Sequence, residues 1–315
     1  MPHPEHVFAA CAPGLEPVLA RELAALGLEA RPVPGGAEAS GADAVALACV
    51  GSRVADAVSL RVYAGPDRGA ARALDEARRR FGADAALAVR REGSAATVSL
   101  DAVGSPLYKR GWRARVGAAP LRETLAAGLL LAAGYGGESP FLDPMCGSGT
   151  LAIEAYEIAA RRAPGRTRAF DFERWPGHDA RRTAAVRARL AAAERTPPCA
   201  VVASDRNGGA VRLAQRNAAT AGADRLVITR ADAATREPPG GAGLLAVNPP
   251  YGDRLADDPA PAWRALAALF ARLPAWRAAV LAPDRGLERL LGGAPDVLLR
   301  VRNGGIACRV LSYTL

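Results

Sequence analysis

The sequence predicts an α/β protein in which a small α+β domain precedes a doubly wound, mostly parallel sheet of the Rossmann-like kind. Three observations support this prediction. From about residue 116, short apolar strands alternate with helices, which is the pattern of a parallel sheet covered on both faces. A glycine-rich loop joins the first of those strands to a helix. An Asn-Gly-Gly turn near the C-terminus indicates a closing antiparallel hairpin.

The first 115 residues contain strand and helix patterns of a small α+β region. VFAACA has the composition of a strand, and GLEPVLARELAALGL carries apolar residues at helical spacing. After a Pro/Gly stretch, RPVPGG, a second helical run extends over residues 43–57. Beyond it the sequence predicts the strand SLRVY, the helix ARALDEARRRF and two strands around the turn residues Glu92-Gly93-Ser94.

Residues 116–315 are predicted to form the larger domain. The helix PLRETLAAGLLLAAG leads to the buried strand PFLDP and the helix TLAIEAYEIAARR. An arginine- and proline-containing stretch, RAPGRTRAFDFERWPGHD, comes before the next helix, and we expect its Phe170, Phe172 and Trp175 to pack over a ligand pocket or the core. Strands follow at CAVVASD, RLVITRAD, GLLAVNPP and WRAAVLAP, and the chain closes with the hairpin VLLRVRNGGIACRVLSYTL.

The composition narrows the functional classes. Lys and Arg number 41 against 32 Asp and Glu, but every basic residue except Lys109 is arginine, a bias that a GC-rich genome also produces. The charge of +9 is therefore weak support for a nucleic-acid partner. Five scattered cysteines and three histidines predict neither disulfides nor a metal site. No apolar run reaches the ~18–20 residues of a membrane span, and the N-terminus lacks the order of a signal peptide, so we expect a cytoplasmic protein.

The segment LDPMCGSGT lies between an apolar strand and a helix, where the chain must turn sharply. Gly147 and Gly149 would let a ligand approach the backbone, and the helix that follows offers free N–H groups to an anion. Gly147, Gly149 and Ala152 also satisfy the loose GxGxxA spacing of dinucleotide sites. No lysine follows the last glycine, which excludes a Walker phosphate loop.

Three aspartates discriminate between the ligands of such a loop. Asp143, Asp205 and Asp232 each end a predicted strand, and the carboxyl ends of parallel strands share one crevice. Asp205 can accept both hydroxyls of a ribose, Asp232 can face an adenine amine, and Asp143 suits a ligand with a cationic sulfonium and ammonium. NAD sites place their ribose acid roughly 20 residues past the loop, much closer than Asp205. S-adenosylmethionine is therefore favoured over NAD; in the alternative interpretation the aspartates merely cap helices.

The tetrapeptide Asn248-Pro249-Pro250-Tyr251 follows the strand GLLAV. Consecutive prolines supply no N–H groups, so they end the strand and leave carbonyl oxygens free. The Asn248 amide oxygen and the Pro249 carbonyl make two acceptors for an exocyclic amino group, and Tyr251 supplies a ring on which a base can stack. The alternative is a plain Asn-Pro-Pro turn with a surface tyrosine.

Residues 50–115 are the segment densest in positive charge, and they end in SPLYKRGWRARVG. Phosphate contacts need arginine and lysine, and unpaired bases need aromatic faces. Lys109, Arg110, Trp112, Arg113 and Arg115 are therefore candidate RNA contacts. The alternative is a solvated linker between domains in which Trp112 packs as an anchor.

Taken together, LYKRGWR, APLRETLAAGLL, LDPMCGSGTLAIEA, FERWPGHD and NPPYGDRL resemble the class I S-adenosylmethionine-dependent methyltransferases that methylate amines. More narrowly, the chain is similar to the THUMP-containing RNA guanine-N2 methyltransferases, notably the bacterial enzymes that act on 23S rRNA. The resemblance implies a seven-stranded sheet and catalytic roles for Asn248, Pro249, Pro250 and Tyr251. It implies cofactor contacts at Thr124, Asp143, Pro144, Met145, Cys146, Gly147, Gly149, Thr150, Asp205, Arg206, Asp232, Ala233 and Asn248.

The same resemblance divides the chain into a ferredoxin-like region at 1–60, a shortened THUMP-like RNA-binding region and linker at 61–115, and the methyltransferase domain at 116–315. The segment after Tyr63 is shorter than a full THUMP domain. The expected partner is RNA, most simply 23S rRNA, with no membrane, no metal and a monomeric chain. A tRNA guanosine or DNA adenine methyltransferase and a non-catalytic RNA-binding or ribosome-assembly factor remain as alternatives.

Overall fold

The computed structural model describes residues 4–113, 121–251, 258–283 and 286–315. The chain packs as two compact units, the first formed by 1–108 with 163–193 and the second by 109–162 with 194–315. The sequence prediction placed the start of the larger domain at residue 116 and assigned 163–193 to it. The structure differs in this respect, because 163–193 pack with the N-terminal unit.

The described residues form thirteen strands and eight helices. The strands are β1 (Glu5–Ala10), β2 (Glu29–Val33), β3 (Gly36–Gly41), β4 (Ala57–Pro66), β5 (Leu87–Glu92), β6 (Ala95–Asp101), β7 (Phe141–Asp143), β8 (Val201–Asp205), β9 (Val227–Arg230), β10 (Leu244–Val247), β11 (Arg277–Pro283), β12 (Asp296–Asn303) and β13 (Ile306–Thr314). The helices are α1 (Glu16–Ala25), α2 (Ala44–Gly51), α3 (Ala70–Phe81), α4 (Glu123–Ala132), α5 (Thr150–Ala159), α6 (Ala180–Ala191), α7 (Gly208–Ala221) and α8 (Ala260–Phe270).

The N-terminal unit is an antiparallel sheet in the order β2-β3-β1-β4-β6-β5 with α1, α2, α3 and α6. Val7 and Ala9 of β1 point to the buried face, whereas Phe8 between them does not, as the two-residue period of a strand requires. The hairpin of β2 and β3 was not predicted. Its sequences, EARPV and GAEASG, are poor in β-branched and aromatic residues, and the pairing with β1 forms these strands despite that composition.

Two aromatic residues of the 163–193 segment, Phe170 and Phe172, lie in the core of the N-terminal unit, and Trp175 packs half-buried beside them. Phe170 and Phe172 are almost fully buried, with ring centroids 5.8 Å apart. The Trp175 ring packs edge-on against Phe81, with centroids at 5.5 Å. Of the two environments expected for these rings, a ligand pocket or a core, the structure shows a core.

The second unit contains a seven-stranded sheet in the order β12-β13-β11-β10-β7-β8-β9. The five strands from β11 to β9 are parallel, and β13 and β12 run antiparallel to their neighbours. The terminal hairpin turns through Gly304 and Gly305, both at positive φ, as the Asn-Gly-Gly signal predicts. The predicted fold class is confirmed. Within the described ranges, no helix combines the length and apolar character needed to cross a bilayer.

The strand order reverses between β7 and β10, which lie side by side although two strands and three helices separate them in sequence. In doubly wound sheets a crevice opens at the carboxyl ends of such strands. Asp143 ends β7, Asp205 ends β8, and Asn248 directly follows β10. The fold therefore brings the predicted strand-end residues to one edge of the sheet.

Candidate cofactor and base site

The loop between β7 and α5 takes two left-handed turns that only its glycines adopt without strain. Gly147 and Gly149 have φ values of +52° and +86°. A Cβ on Gly149 would lie 3.1 Å from the Cβ of Ala214 on α7, so this glycine also permits close packing of α7. Around Gly147 the space that a Cβ would occupy is open, and its backbone borders a cavity.

Asp205 ties this loop to the end of the neighbouring strand. One carboxylate oxygen of Asp205 accepts a hydrogen bond from the N–H of Gly147 at 2.9 Å, and the other accepts from the N–H of Asn207 at 2.8 Å. Each carboxylate oxygen has two lone pairs, so both oxygens retain acceptor capacity. Asp205 therefore both fixes the loop and presents acceptors to the cavity.

Asn248 presents an acceptor for which no described residue supplies a donor. Its amide oxygen is buried and makes no hydrogen bond to any described residue. Leaving a buried acceptor unsatisfied costs about 1–3 kcal/mol. Because Asn248 lines the same cavity as Gly147 and Asp205, this oxygen points to a ligand that donates a hydrogen bond there.

A cavity of about 360 Å³ joins these groups. Nine predicted site residues line it: Pro144, Met145, Gly147, Asp205, Arg206, Asp232, Ala233, Asn248 and Pro250. Four further residues of its wall, Asn207, Ala210, Ala262 and Ala265, were not predicted. Asn207 was recognisable, since it directly follows a strand-end acid and caps α7 through Gly209 N–H. The alanines carry no chemical signal by which sequence could identify them.

Pro249 and Tyr251 are outside this cavity wall. Pro249 is buried, and the half-buried Tyr251 hydroxyl accepts a hydrogen bond from the Asn303 amide at 2.7 Å. The carbonyl oxygen of Pro250 accepts a hydrogen bond from the Trp263 indole at 3.0 Å. The structure therefore brings Asn248 and Pro250 to the cavity and fixes Tyr251 one residue beyond it.

Five predicted cofactor residues are not among those that line the cavity: Thr124, Asp143, Cys146, Gly149 and Thr150. Thr124 is buried in α4, and the Thr150 hydroxyl accepts a hydrogen bond from Arg113 at 2.9 Å. Burial raises the pKa of the Cys146 thiol. Cys146, Gly149 and Thr150 belong to the loop and to the start of α5, whereas Thr124 belongs to α4.

Asp143 is a fully buried carboxyl that accepts a hydrogen bond from the backbone N–H of Met145, at 3.2 Å. Burial raises the pKa of Asp143 well above its ordinary value, the charge of Asp205 raises it further, and the Met145 hydrogen bond opposes both. A cation in the neighbouring cavity would stabilise the ionised form.

Replacing Asp143 with asparagine should change how stability depends on pH. Because the folded state holds this proton more tightly than the unfolded chain, the natural protein loses stability as the pH rises above the ordinary aspartate value of 3.8 towards the raised value. The asparagine variant lacks this loss, so its advantage in free energy of unfolding should grow with pH. Urea unfolding of both proteins without cofactor over a pH series measures this; parallel curves would contradict it.

The predicted RNA-binding residues are mostly interior. Arg110 and Trp112 are buried, and the Arg110 guanidinium pairs with Glu154 at 3.3 Å. Arg113 pairs with Glu123 at 3.1 Å and lies over the Trp112 ring. Lys109 is exposed, and Arg115 lies outside the described residues. This placement favours the packed alternative for Arg110, Trp112 and Arg113 over direct contact with phosphates.

Comparison with known proteins identifies the domains. Residues 110–311 match the family model UPF0020, described as the RMKL-like methyltransferase domain, and residues 6–59 match the RlmL ferredoxin-like domain. The ribosomal RNA large subunit methyltransferase K/L of Vibrio campbellii is 35% identical over 72% of this chain and 34% of its own length. The enzyme of the same name from Psychromonas ingrahamii is 37% identical over 70% of this chain and 31% of its own. The chain thus spans about a third of the length of these relatives.

Solved structures show the same fold. The methyltransferase-like protein SMU.472, crystallised with S-adenosylhomocysteine, superposes with a TM-score of 0.86 at 24% identity over 100% of this chain and 99% of that one. A protein from Listeria monocytogenes strain 4b F2365, described as an N6-adenine-specific DNA methylase, gives 0.84 at 25% identity over 98% and 96%.

The residues of this cavity fit S-adenosylmethionine. Its volume of about 360 Å³ is in the range of small-molecule sites. Asp205 offers carboxylate acceptors suited to ribose hydroxyls, and the exposed Asp232 offers one for an amine. The family match covers more than half of the sequence and describes a methyltransferase domain. This chain therefore belongs to the UPF0020 family of RMKL-like methyltransferase domains, whose cofactor is S-adenosylmethionine.

Proposed function

We propose that the chain transfers a methyl group to the exocyclic N2 amine of a guanine in RNA, with 23S rRNA as the substrate. The observation that carries this proposal is the unsatisfied Asn248 oxygen in the cavity that Gly147 and Asp205 also line. An exocyclic amine donates hydrogen bonds and therefore requires an acceptor, and the buried Asn248 oxygen is an acceptor without a donor among the described residues.

S-adenosylmethionine supplies the methyl group from its sulfonium. The target guanine must leave its stack, because its amine cannot reach the cavity from inside a duplex. Asn248 accepts one N–H of the amine and the Pro249 carbonyl accepts the other, which directs the nitrogen lone pair out of the ring plane. The Tyr251 ring stacks on the base, a contact worth about 1–3 kcal/mol. Rate enhancement then comes mainly from positioning, and the proton released from nitrogen passes to water.

The proposed substrate class rests on the relatives and on the N-terminal unit. Both relatives are named as ribosomal RNA large subunit methyltransferases, and residues 6–59 match the ferredoxin-like domain of that group. We assign residues 61–115 to a shortened THUMP-like region and linker, whose described part contains α3, β5, β6 and the second half of β4. In it Arg72 and Arg79 of α3 are exposed to solvent. Arginines so placed can contact phosphates, as can the exposed Lys109.

The test is the identity of the methylated nucleoside. The purified full chain is incubated with isotopically labelled S-adenosylmethionine and, separately, with 23S rRNA and tRNA from a strain lacking the gene and with unmethylated DNA. Digestion and mass spectrometry should find the label in N2-methylguanosine from 23S rRNA. Label in tRNA alone, or in N6-methyladenine, would replace the proposed substrate. Cofactor binding without transfer to any of the three would support a non-catalytic RNA-binding factor.

A further inference from the structure

Two side chains outside the Asn248–Tyr251 segment hold its second half. The Trp263 indole of α8 donates to the Pro250 carbonyl at 3.0 Å, and Trp263 is fully buried in the core of the second unit. On the other side, the Asn303 amide donates to the Tyr251 hydroxyl at 2.7 Å. The first bond fixes the backbone, and the second fixes the end of a side chain.

Asn303 occupies a rigid position. It is the last residue of β12 and pairs with Ile306 across the two-glycine turn, in which Gly304 and Gly305 have φ values of +55° and +91°. The hairpin is joined through β13 to β11, and β11 is parallel to β10, the strand from which Asn248 follows. The donor therefore belongs to the same hydrogen-bonded sheet as the strand that the Asn248–Tyr251 segment directly follows.

The Tyr251 hydroxyl is a hydrogen-bonding group and not a charge. Burial raises its pKa above the ordinary value of 10, and the Asn303 bond opposes that shift only in part. The Cys308 sulfur is 3.7 Å from the hydroxyl, a weak contact compared with the Asn303 bond. Asn303 is thus the stronger of the two side-chain partners that hold this hydroxyl.

We propose that Asn303 is a positioning residue that orients the Tyr251 ring for the target base. This inference rests on the proposed function, in which Tyr251 stacks on the guanine. A tyrosine side chain has two rotatable bonds. The Asn303 bond fixes the first, which sets where the ring axis points, whereas the hydroxyl oxygen lies on the axis of the second and its position does not depend on the ring plane. With the ring axis fixed before RNA arrives, the base meets a ring already in place, and less conformational freedom is lost on binding.

Steady-state methylation by the full chain tests this role. Asn303→Ala should lower kcat/KM for RNA by about fivefold to tenfold, the effect of one lost hydrogen bond, through a higher KM for RNA. Tyr251→Phe should behave alike, and the double variant should be no slower than either single one, because both remove the same bond. Asn303→Asp, which can accept from the Tyr251 hydroxyl, should restore most of the natural value. The affinity for S-adenosylhomocysteine should stay within about twofold.

Arg302→Lys is the matched control, because Arg302 bonds the Gly305 carbonyl at the same hairpin end without touching Tyr251 and the lysine keeps its charge. It should leave kcat/KM unchanged. Three outcomes would each overturn the inference. The losses of kcat/KM in the double variant could be additive, or Asn303→Ala could leave kcat/KM unchanged. Asn303→Ala could also lower cofactor affinity and stability while Asn303→Asp restores nothing. If Asn248→Ala is inactive while Asn303→Ala is fully active, only this inference fails. Full activity of Asn248→Ala would instead remove the proposed function.

Discussion

Replacing Asn248 with alanine should lower the rate of methyl transfer at least about 100-fold, the loss seen when a group that positions or stabilises the reacting centre is removed. The same change should slightly stabilise the free protein, by about 1 kcal/mol, because it deletes a buried oxygen that has no donor. Activity and stability should therefore move in opposite directions. That combination identifies a residue kept for function at a cost in folding.

Single-turnover methylation with saturating S-adenosylmethionine measures the first effect, and calorimetry measures cofactor affinity, which should change by less than about threefold. Pro250→Ala is a suitable comparison, because Pro250 lines the same cavity but offers no side-chain acceptor. Parallel losses of cofactor affinity and turnover in Asn248→Ala would show that Asn248 is a cofactor ligand only.

The parts of the fold that the sequence predicted well are those in which local pattern and tertiary structure agree. Buried parallel strands such as β8 and β10 are short apolar runs, and the two-glycine turn permits one tight hairpin. The β2–β3 hairpin could not be predicted in this way, because its alanines and glycines form strands only through pairing with β1. The packing of 163–193 with the N-terminal unit depends on contacts distant in sequence, which local pattern does not show.

The candidate site also contains residues that the sequence could predict and residues that depend on tertiary packing. Gly147, Asp205 and Asn248 could be predicted, since strand ends in a doubly wound sheet meet at one edge and polar residues there have few structural uses. Ala262 and Ala265 contribute only shape, and their place in the wall depends on how α8 packs. Asp143 was predicted as a contact, but it is buried and is not among the residues that line the cavity, because the side chain of a strand-end residue can pack against the layer that covers the sheet.

The arginine-rich stretch before the second domain shows where composition alone is ambiguous. Alternating arginines and aromatics are typical both of RNA contacts and of buried ion pairs beneath rings. Burial decides between them. The Arg110 and Glu154 side chains are only 4% and 1% exposed, and Glu154 belongs to α5, the helix that begins at the glycine loop. This pair therefore links the stretch to the base of the cofactor loop.

Arg110→Met should accordingly destabilise the second unit by about 3–5 kcal/mol, the cost of breaking a buried ion pair from one side. Lys109→Ala, an exposed neighbour, should change stability by less than about 0.5 kcal/mol. Replacing both partners, Arg110→Met with Glu154→Leu, should recover part of the loss, because Glu154 is then no longer a buried charge without Arg110. Urea unfolding measures these free energies. The transition of the second unit is recognised by adding S-adenosylhomocysteine, because a ligand raises the unfolding midpoint only of the unit that binds it. If Arg110→Met instead unfolds like the natural chain while RNA affinity falls with a shallower salt dependence, Arg110 contacts phosphate and the packed interpretation is wrong.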